Sequence, residues 1–332
     1  MGINKRLLIP QDSGDTNTDN FAPFLYTGTG SSAATTFTGV GFDPDMVWVK
    51  NRDSSGENHG LGDTVRGGGY LLYPNLALAQ ATSDYIRPTT DGFIITTGNN
   101  NISNHNYVAW CWKAGGDDVL NEQGSIDSQV SANPDAGFSI VKWTSDGFSG
   151  IKTMGHGLSQ APELIIVKNL DISDNWAVYS ATLGNNLYLR LNTTDSQVTG
   201  TNYWSTSATN FGLRQSSFFN NGDEGIAYCF HSVDGYQKVG SYTGTGTAGL
   251  AVTTGFRPRF VMYKNTDANT AWVMIDSVRG TGTNTKYLFA NTSGEEGTGA
   301  VLDFTDTGFT LLSSNSTTTN YLNNTYIYLA IA

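Results

Sequence analysis

The sequence predicts an all-β fold: a short N-terminal arm followed by three related antiparallel β-sandwich or jelly-roll modules. Three observations carry the prediction. The composition is rich in Gly (39 residues), Thr, Ser and Asn and poor in charge (14%), well below the roughly 25% of ordinary soluble domains. That mixture suits short strands joined by tight turns and disfavours long amphipathic helices. One ordered set of signatures recurs three times along the 332 residues, which marks tandem structural units. Within each unit, apolar runs of strand length are punctuated by Gly, Asn, Asp and Pro at the spacing of a sandwich.

Residues 1–20, MGINKRLLIPQDSGDTNTDN, have no core of their own and read as an extended anchoring arm, with Lys5, Arg6, Leu7, Leu8 and Ile9 as its docking residues. Module 1 covers 21–114. It opens on FLYTGTG, runs through GFDPDMVWVKNRD at 41–53 and DTVRGGGYLLYP at 63–74, turns at TDGFIITTGNNN and closes on YVAWCWKAG at 107–115. Residues 115–135, poor in apolar side chains and without a period, read as a linker. Module 2, 136–236, repeats the order with FSIVKWTSDG, GLSQAPELIIVKNLD at 157–171, a degenerate SATLGNNLYLRLN at 180–192, TNFGLRQSSFFNN and GIAYCFHSV. Module 3, 237–332, follows almost without a break, which predicts rigid coupling to module 2. It carries VGSYTGTG, GFRPRFVMYKNTD at 255–267, DSVRGTGTNTKYLFAN at 276–291, TDTGFTLLSSNSTTTN and YIYLAIA at 326–332. Alternation in the opening segments fits half-buried antiparallel strands.

Charge and motifs exclude several function classes. A net charge of −11 argues against a phosphate-tracking surface, so nucleic acid is not an expected partner. Two cysteines, Cys111 and Cys229, cannot build a disulfide framework. No apolar run reaches the length of a signal-peptide core or a membrane span, so no export or membrane insertion is expected. The four histidines, His59, His105, His156 and His231, stand in unrelated contexts without zinc spacing, and acidic turns such as NRDSSGEN lack the EF-hand pattern. No metal or cofactor is expected. Nucleophile elbow, P-loop, dinucleotide fingerprint and His-Glu-x-x-His are all missing, so the chain reads as non-enzymatic. A polysaccharide depolymerase is the minor alternative, since paired carboxylates can lie far apart in sequence.

The run GFDPDMVWVKNRD with DTVRG, WCWKAGG leading into GSIDSQVSANPDAGFSIVKWT, APELIIVKN, YCFHSVDGYQKVGSYTGTG, GFRPRFVMYKNTD, IDSVRG and YIYLAIA resembles a family of tandem β-module proteins encoded by tailed bacteriophages, especially marine ones. The resemblance extends over about residues 22–332. It implies a concanavalin- or laminin-G-like sandwich, a tail-fibre or lectin-like structural protein, and a place on the virion surface, tail or capsid, after assembly in the bacterial cytoplasm. The resemblance implies no known ligand. Host-surface glycan and other virion proteins, the latter reached through the arm, are the expected partners, and a homotrimer is the expected assembly. Capsid decoration or a head fibre is the alternative role.

Candidate binding residues are aromatic. Trp143, Trp176, Tyr203, Trp204 and Trp272 lie near loops and could stack on sugar rings, whereas Trp48 and Trp110 fall inside strands and read as core. The repeated Lys-Asn-x-Asp (Lys50, Asn51, Asp53; Lys168, Asn169, Asp171; Lys264, Asn265, Asp267) admits a sugar-site reading. Its presence in every module favours a strand-ending Asx turn with the lysine paired internally. Arg66 and Arg279, in Asp-x-Val-Arg-Gly, read as partners of Asp63 and Asp276. Cys111, Cys229 and Ala330 occupy one position in the closing strands, where a small buried side chain explains all three.

Overall fold

The computed structural model describes residues 20–82, 85–96 and 98–332; the arm's Lys5, Arg6, Leu7, Leu8 and Ile9 lie outside them. The fold is all-β, built of several antiparallel sheets. One strand order repeats three times. In module 1 the opening strand Phe21–Thr27 pairs with the closing strand Asn106–Trp112, which pairs with the Lys-Asn strand Met46–Asn51 and then Gly60–Asp63. Module 2 places Phe138–Asp146, Asn221–Phe230, Leu164–Asn169 and Ala177–Ser180 in that order, and module 3 places Gln237–Thr243, Thr325–Ile331, Phe260–Asn265 and Val273–Asp276. A three-stranded sheet faces each large one: Thr35–Thr38 with Gly92–Ile95 and Ile86–Thr89, Ile151–Gly155 with Asn210–Arg214 and Trp204–Thr206, and Leu250–Thr253 with Gly308–Leu311 and Leu302–Thr305.

Register makes the copies comparable residue by residue. Met46 sits opposite Trp112, Leu164 opposite Phe230 and Phe260 opposite Ile331. Cys111, Cys229 and Ala330 are therefore equivalent, and all three are fully buried, the two thiols unbridged. Residues 115–135 differ from the linker reading. They contain two strands, Val119–Asn121 and Ser128–Asn133, and the second pairs along the opening strand of module 2, enlarging that sheet to eight strands. Main-chain groups on an open sheet edge accept another strand without needing apolar side chains, so a polar composition did not prevent pairing.

The large sheets are buried on both faces. In MVWVKN, Val47 and Val49 point into the core of module 1, while Met46 and Trp48 point away from it into a second core. In LIIVKN, Ile165 and Val167 fill the core of module 2, and Leu164 and Ile166 enter the same second core. That second core collects Trp110, Tyr228, Phe260, Met262 and Leu329 as well, so all three modules share it. A void of about 10 Å³ at its centre is no larger than one water and is lined by apolar side chains, so it holds no ligand.

Equivalent residues close the three modules into a ring. The residue before each second strand of the large sheet is His59, Trp176 or Trp272. His59 Nε2 lies 3.1 Å from the Phe289 carbonyl of module 3, Trp176 Nε1 donates to the Tyr73 and Leu76 carbonyls of module 1 (3.2 and 3.1 Å), and Trp272 Nε1 donates to the Arg190 carbonyl of module 2 (2.9 Å). A second set runs the other way: the backbone N–H of Gln80, Gln197 and Glu296 donates to the carbonyls of Leu170, Thr266 and Arg52 at 2.9, 2.8 and 2.9 Å. Six donors at matching positions, two sets around one circuit, make an approximately threefold assembly within a single chain. His59 Nδ1 accepts the Trp48 indole N–H at 2.8 Å, which leaves the proton on Nε2 for Phe289. Burial, with Lys50 adding to it, holds the ring neutral with a pKa of about 3.

Candidate functional site

The Lys-Asn-x-Asp motif is a structural latch in every copy. The lysines are fully buried, and each Nζ donates to the carbonyl of the following Asn: Lys50 at 2.7 Å, Lys168 at 2.6 Å and Lys264 at 2.5 Å. Lys168 and Lys264 also reach the carbonyls of Ile172 and Ala268. Burial lowers each ammonium to about 8. Each Asn Oδ1 accepts the N–H groups two and three residues on, an Asx turn. The three aspartates accept the backbone N–H of Asn106, Glu224 and Thr325. The lysines and asparagines are thus committed inside the fold, and each aspartate holds a backbone N–H of the neighbouring strand.

Arg66 and Arg279 bind Asp63 and Asp276 at 2.6 Å with both partners buried, and both pairs lie at ring interfaces. The Tyr228 hydroxyl of module 2 donates to Asp63 (2.7 Å), and the Trp110 indole of module 1 donates to Asp276 (2.9 Å). At the third interface the equivalent residues are Ser180, Leu183 and Leu329. The charged pair occurs where the facing residue donates a hydrogen bond and is missing where that residue is apolar.

Four of the five aromatic candidates are removed from any ligand by burial, a correction to the sugar-platform reading. Trp143, Trp176, Trp204 and Trp272 are each no more than 3% exposed. Trp176 and Trp272 carry the ring contacts between modules. Trp143 lies across Gly225, the position that holds Tyr107 and Tyr326 in the other copies. There those tyrosines stack on Tyr26 and Tyr242 at 4.8 and 4.7 Å, so the larger indole takes the space the glycine frees. Trp204 packs on Tyr179 inside module 2. Tyr203 alone is half-buried, its ring edge-on to Tyr188 at 5.2 Å. Sequence context does not separate these cases, because a tryptophan beside a loop signature can cross to a neighbouring module.

Concave surface lies where the two sheets of a module part, between the outer strands and the loop before the closing strand. In module 2 the recess is about 110 Å³ and charged, with Asp174, Tyr188, Arg190 and Phe218 around it. In module 3 it is about 190 Å³ and uncharged. Tyr263, Tyr287, Phe289 and Val301 form its apolar part, and Ser316 and Thr318 stand on the loop side. Tyr263 is fully buried, its hydroxyl has no hydrogen-bond partner, and burial pushes its pKa well up. In module 1 the corresponding space is filled: Ile86 and Asn100 crowd Gly60 so closely that a side chain there would collide with both.

A wider recess of about 450 Å³ lies on module 2, beside the turn that leads into module 3, and includes Asp135, Ser159, His231 and Asp234. His231 Nε2 is 3.4 Å from Ser159 Oγ, and its Nδ1 is 2.8 Å from the Ser232 carbonyl. A backbone carbonyl thus takes the place a carboxylate has in a Ser-His-Asp triad. Among the described residues no three His, Cys, Asp or Glu side chains are grouped to hold a metal, and no helix is long and apolar enough to cross a membrane.

Compared with known proteins, residues 16–332 match the model of a family described as Domain of unknown function (DUF7483). No curated protein and no solved structure matches the chain.

Proposed function

The chain belongs to that family, and from this premise we propose that it is a non-enzymatic surface protein of a tailed-bacteriophage virion that adheres to host-surface glycan. The observation that carries the reading is the closed ring. Three sandwiches locked by equivalent bonds around a shared core make a rigid head, and recognition by loops on a rigid β scaffold needs nothing more. The recesses of modules 2 and 3 supply concave surface on that head, while the first module, whose recess is filled, serves as the third structural wall. Residues 1–20 attach the head to other virion proteins.

Capsid decoration is the second reading, and the ring favours it in one respect. A subunit whose three faces are alike fits over a local threefold of a shell without assembling further copies. Immunogold electron microscopy of particles from a phage encoding this chain tests both. Label at a fibre or fibre tip supports adhesion, label over the shell supports decoration, and particles that stay unlabelled while the lysate contains the free protein defeat both.

A further inference from the structure

We propose that the recess of module 3 is a binding site for one neutral sugar ring, held on Tyr287 and Phe289 and hydrogen-bonded by the Tyr263 hydroxyl; the inference rests on the adhesion reading and gives it a site. Three observations converge. Tyr263 is fully buried and its hydroxyl is without a partner. A buried hydroxyl left unpaired costs free energy, and such groups in native proteins ask for an explanation, of which a missing ligand is one. Beside it, the half-buried rings of Tyr287 and Phe289 lie 5.3 Å apart at 46°, an apolar wall of the kind that takes the C–H face of a pyranose. Opposite stand the hydroxyls of Ser316 and Thr318.

Comparison among the three copies shows that the fold does not require this cavity. Module 1 builds the same strand order with valine, Val49, at the Tyr263 position and closes the space with Ile86 and Asn100. Module 2 has valine there too, Val167, and places Arg190 and Asp174 around a smaller recess. Only module 3 sets a buried phenol into an opened, uncharged recess. Its volume of about 190 Å³ is below the roughly 300 Å³ at which drug-sized pockets begin, which suits a single ring. With no charged side chain in the lining, an acidic sugar finds no counter-charge, so the class is neutral hexose or N-acetylhexosamine at a chain end or branch.

The test is saturation-transfer NMR on the full-length protein with the methyl glycosides of glucose, galactose, mannose and N-acetylglucosamine, and with sialic acid as the charged control. The proposal expects transfer to at least one neutral glycoside and none to sialic acid. Tyr263→Phe should weaken that binding about fivefold to tenfold, the worth of one hydrogen bond, with no fall in Tm, because the lost hydroxyl has no partner within the fold. Tyr287→Leu should weaken it as well. Absence of transfer to every neutral glycoside overturns the site, as does binding that Tyr263→Phe leaves unchanged. A Tm lowered by Tyr263→Phe also overturns it, since the hydroxyl is then bonded inside the resting protein. Failure of the site is distinct from failure of the adhesion reading: labelled fibres without sugar binding reject the site alone, and sugar binding with unlabelled particles rejects the virion role alone.

Discussion

Substitution of Asp276 by serine, the residue that module 2 carries at the equivalent Ser180, should destabilise the whole ring. Asp276 and Arg279 have fully buried side chains 2.6 Å apart, and Asp276 also accepts the Trp110 indole N–H across the module 1–module 3 interface. Removing one member of a buried pair costs about 3–5 kcal/mol because the other charge is left uncompensated. The orphaned indole adds about 1 kcal/mol. Arg279 keeps a second partner, Glu296 at 3.0 Å, which offsets part of this, so about 3–4 kcal/mol is expected. That is a large share of the roughly 5–15 kcal/mol by which domains are stable. The double variant Asp276→Ser, Arg279→Leu copies the Ser180 and Leu183 arrangement and removes both charges, so it should recover at least half of the loss. Urea unfolding followed by tryptophan fluorescence measures both. If Asp276→Ser falls within about 1 kcal/mol of wild type, or if the double variant is worse than the single, the buried pair does not hold this interface.

Stability should depend on pH in an unusual direction. Lys50, Lys168 and Lys264 are held at about 8 by burial against an ordinary 10.5. Between these values only the unfolded chain keeps the proton, so stability rises with pH there, while below 8 the penalty is constant. Tyr26, Tyr228, Tyr242 and Tyr263, pushed above 10.0 by burial, reverse the trend at higher pH, when the unfolded chain ionises first. Urea midpoints should climb from pH 8 to a maximum between about 9 and 10, where the buried thiols and phenols begin to offset the lysines, and then fall; a flat or declining profile between about 8 and 9 counts against buried lysines. On the acid side His59, at about 3, stays neutral in the fold while the unfolded ring protonates below 6.5, so stability should also drop from that pH downward. Cys111 and Cys229 are buried and their thiols are pushed well up by desolvation. A thiol reagent should leave both untouched in native buffer and modify both in urea; fast labelling of either in the native protein would show that its module opens locally.

Much of the local structure was legible in the sequence. The ordered signatures gave the strand sets, the repeated Lys-Asn gave an Asx turn with an internally satisfied lysine, and Arg66 and Arg279 found the aspartates three residues before them. The ring has its own signal in the sequence, one that no motif carries. MVWV, LIIV and FVMY are continuous apolar runs, and a strand buried on one face alternates while a strand buried on both does not. Those runs announced a second core beyond each sandwich. Trp176 and Trp272 follow the same rule: an indole outside its own sandwich has the sequence context of a surface group, and in the fold it donates to a carbonyl of the next module. The strands within 115–135 carry a weak pattern: Val130 is buried in the core of module 2 while Val119 and Leu120 are exposed, so no period marks them. The recess of module 3 could not be read either, since it depends on the separation of two sheets and not on any motif.

The closed ring is tested most directly by scanning calorimetry of the full-length protein. Unfolding of one shared-core unit should appear as a single peak whose calorimetric and van't Hoff enthalpies agree, with a total of about 220 kcal/mol near 60 °C at roughly 0.7 kcal/mol per residue. Two or three separable peaks, or a van't Hoff enthalpy near one third of the calorimetric value, would mean that the modules unfold independently and that the contacts between them do not make one structure.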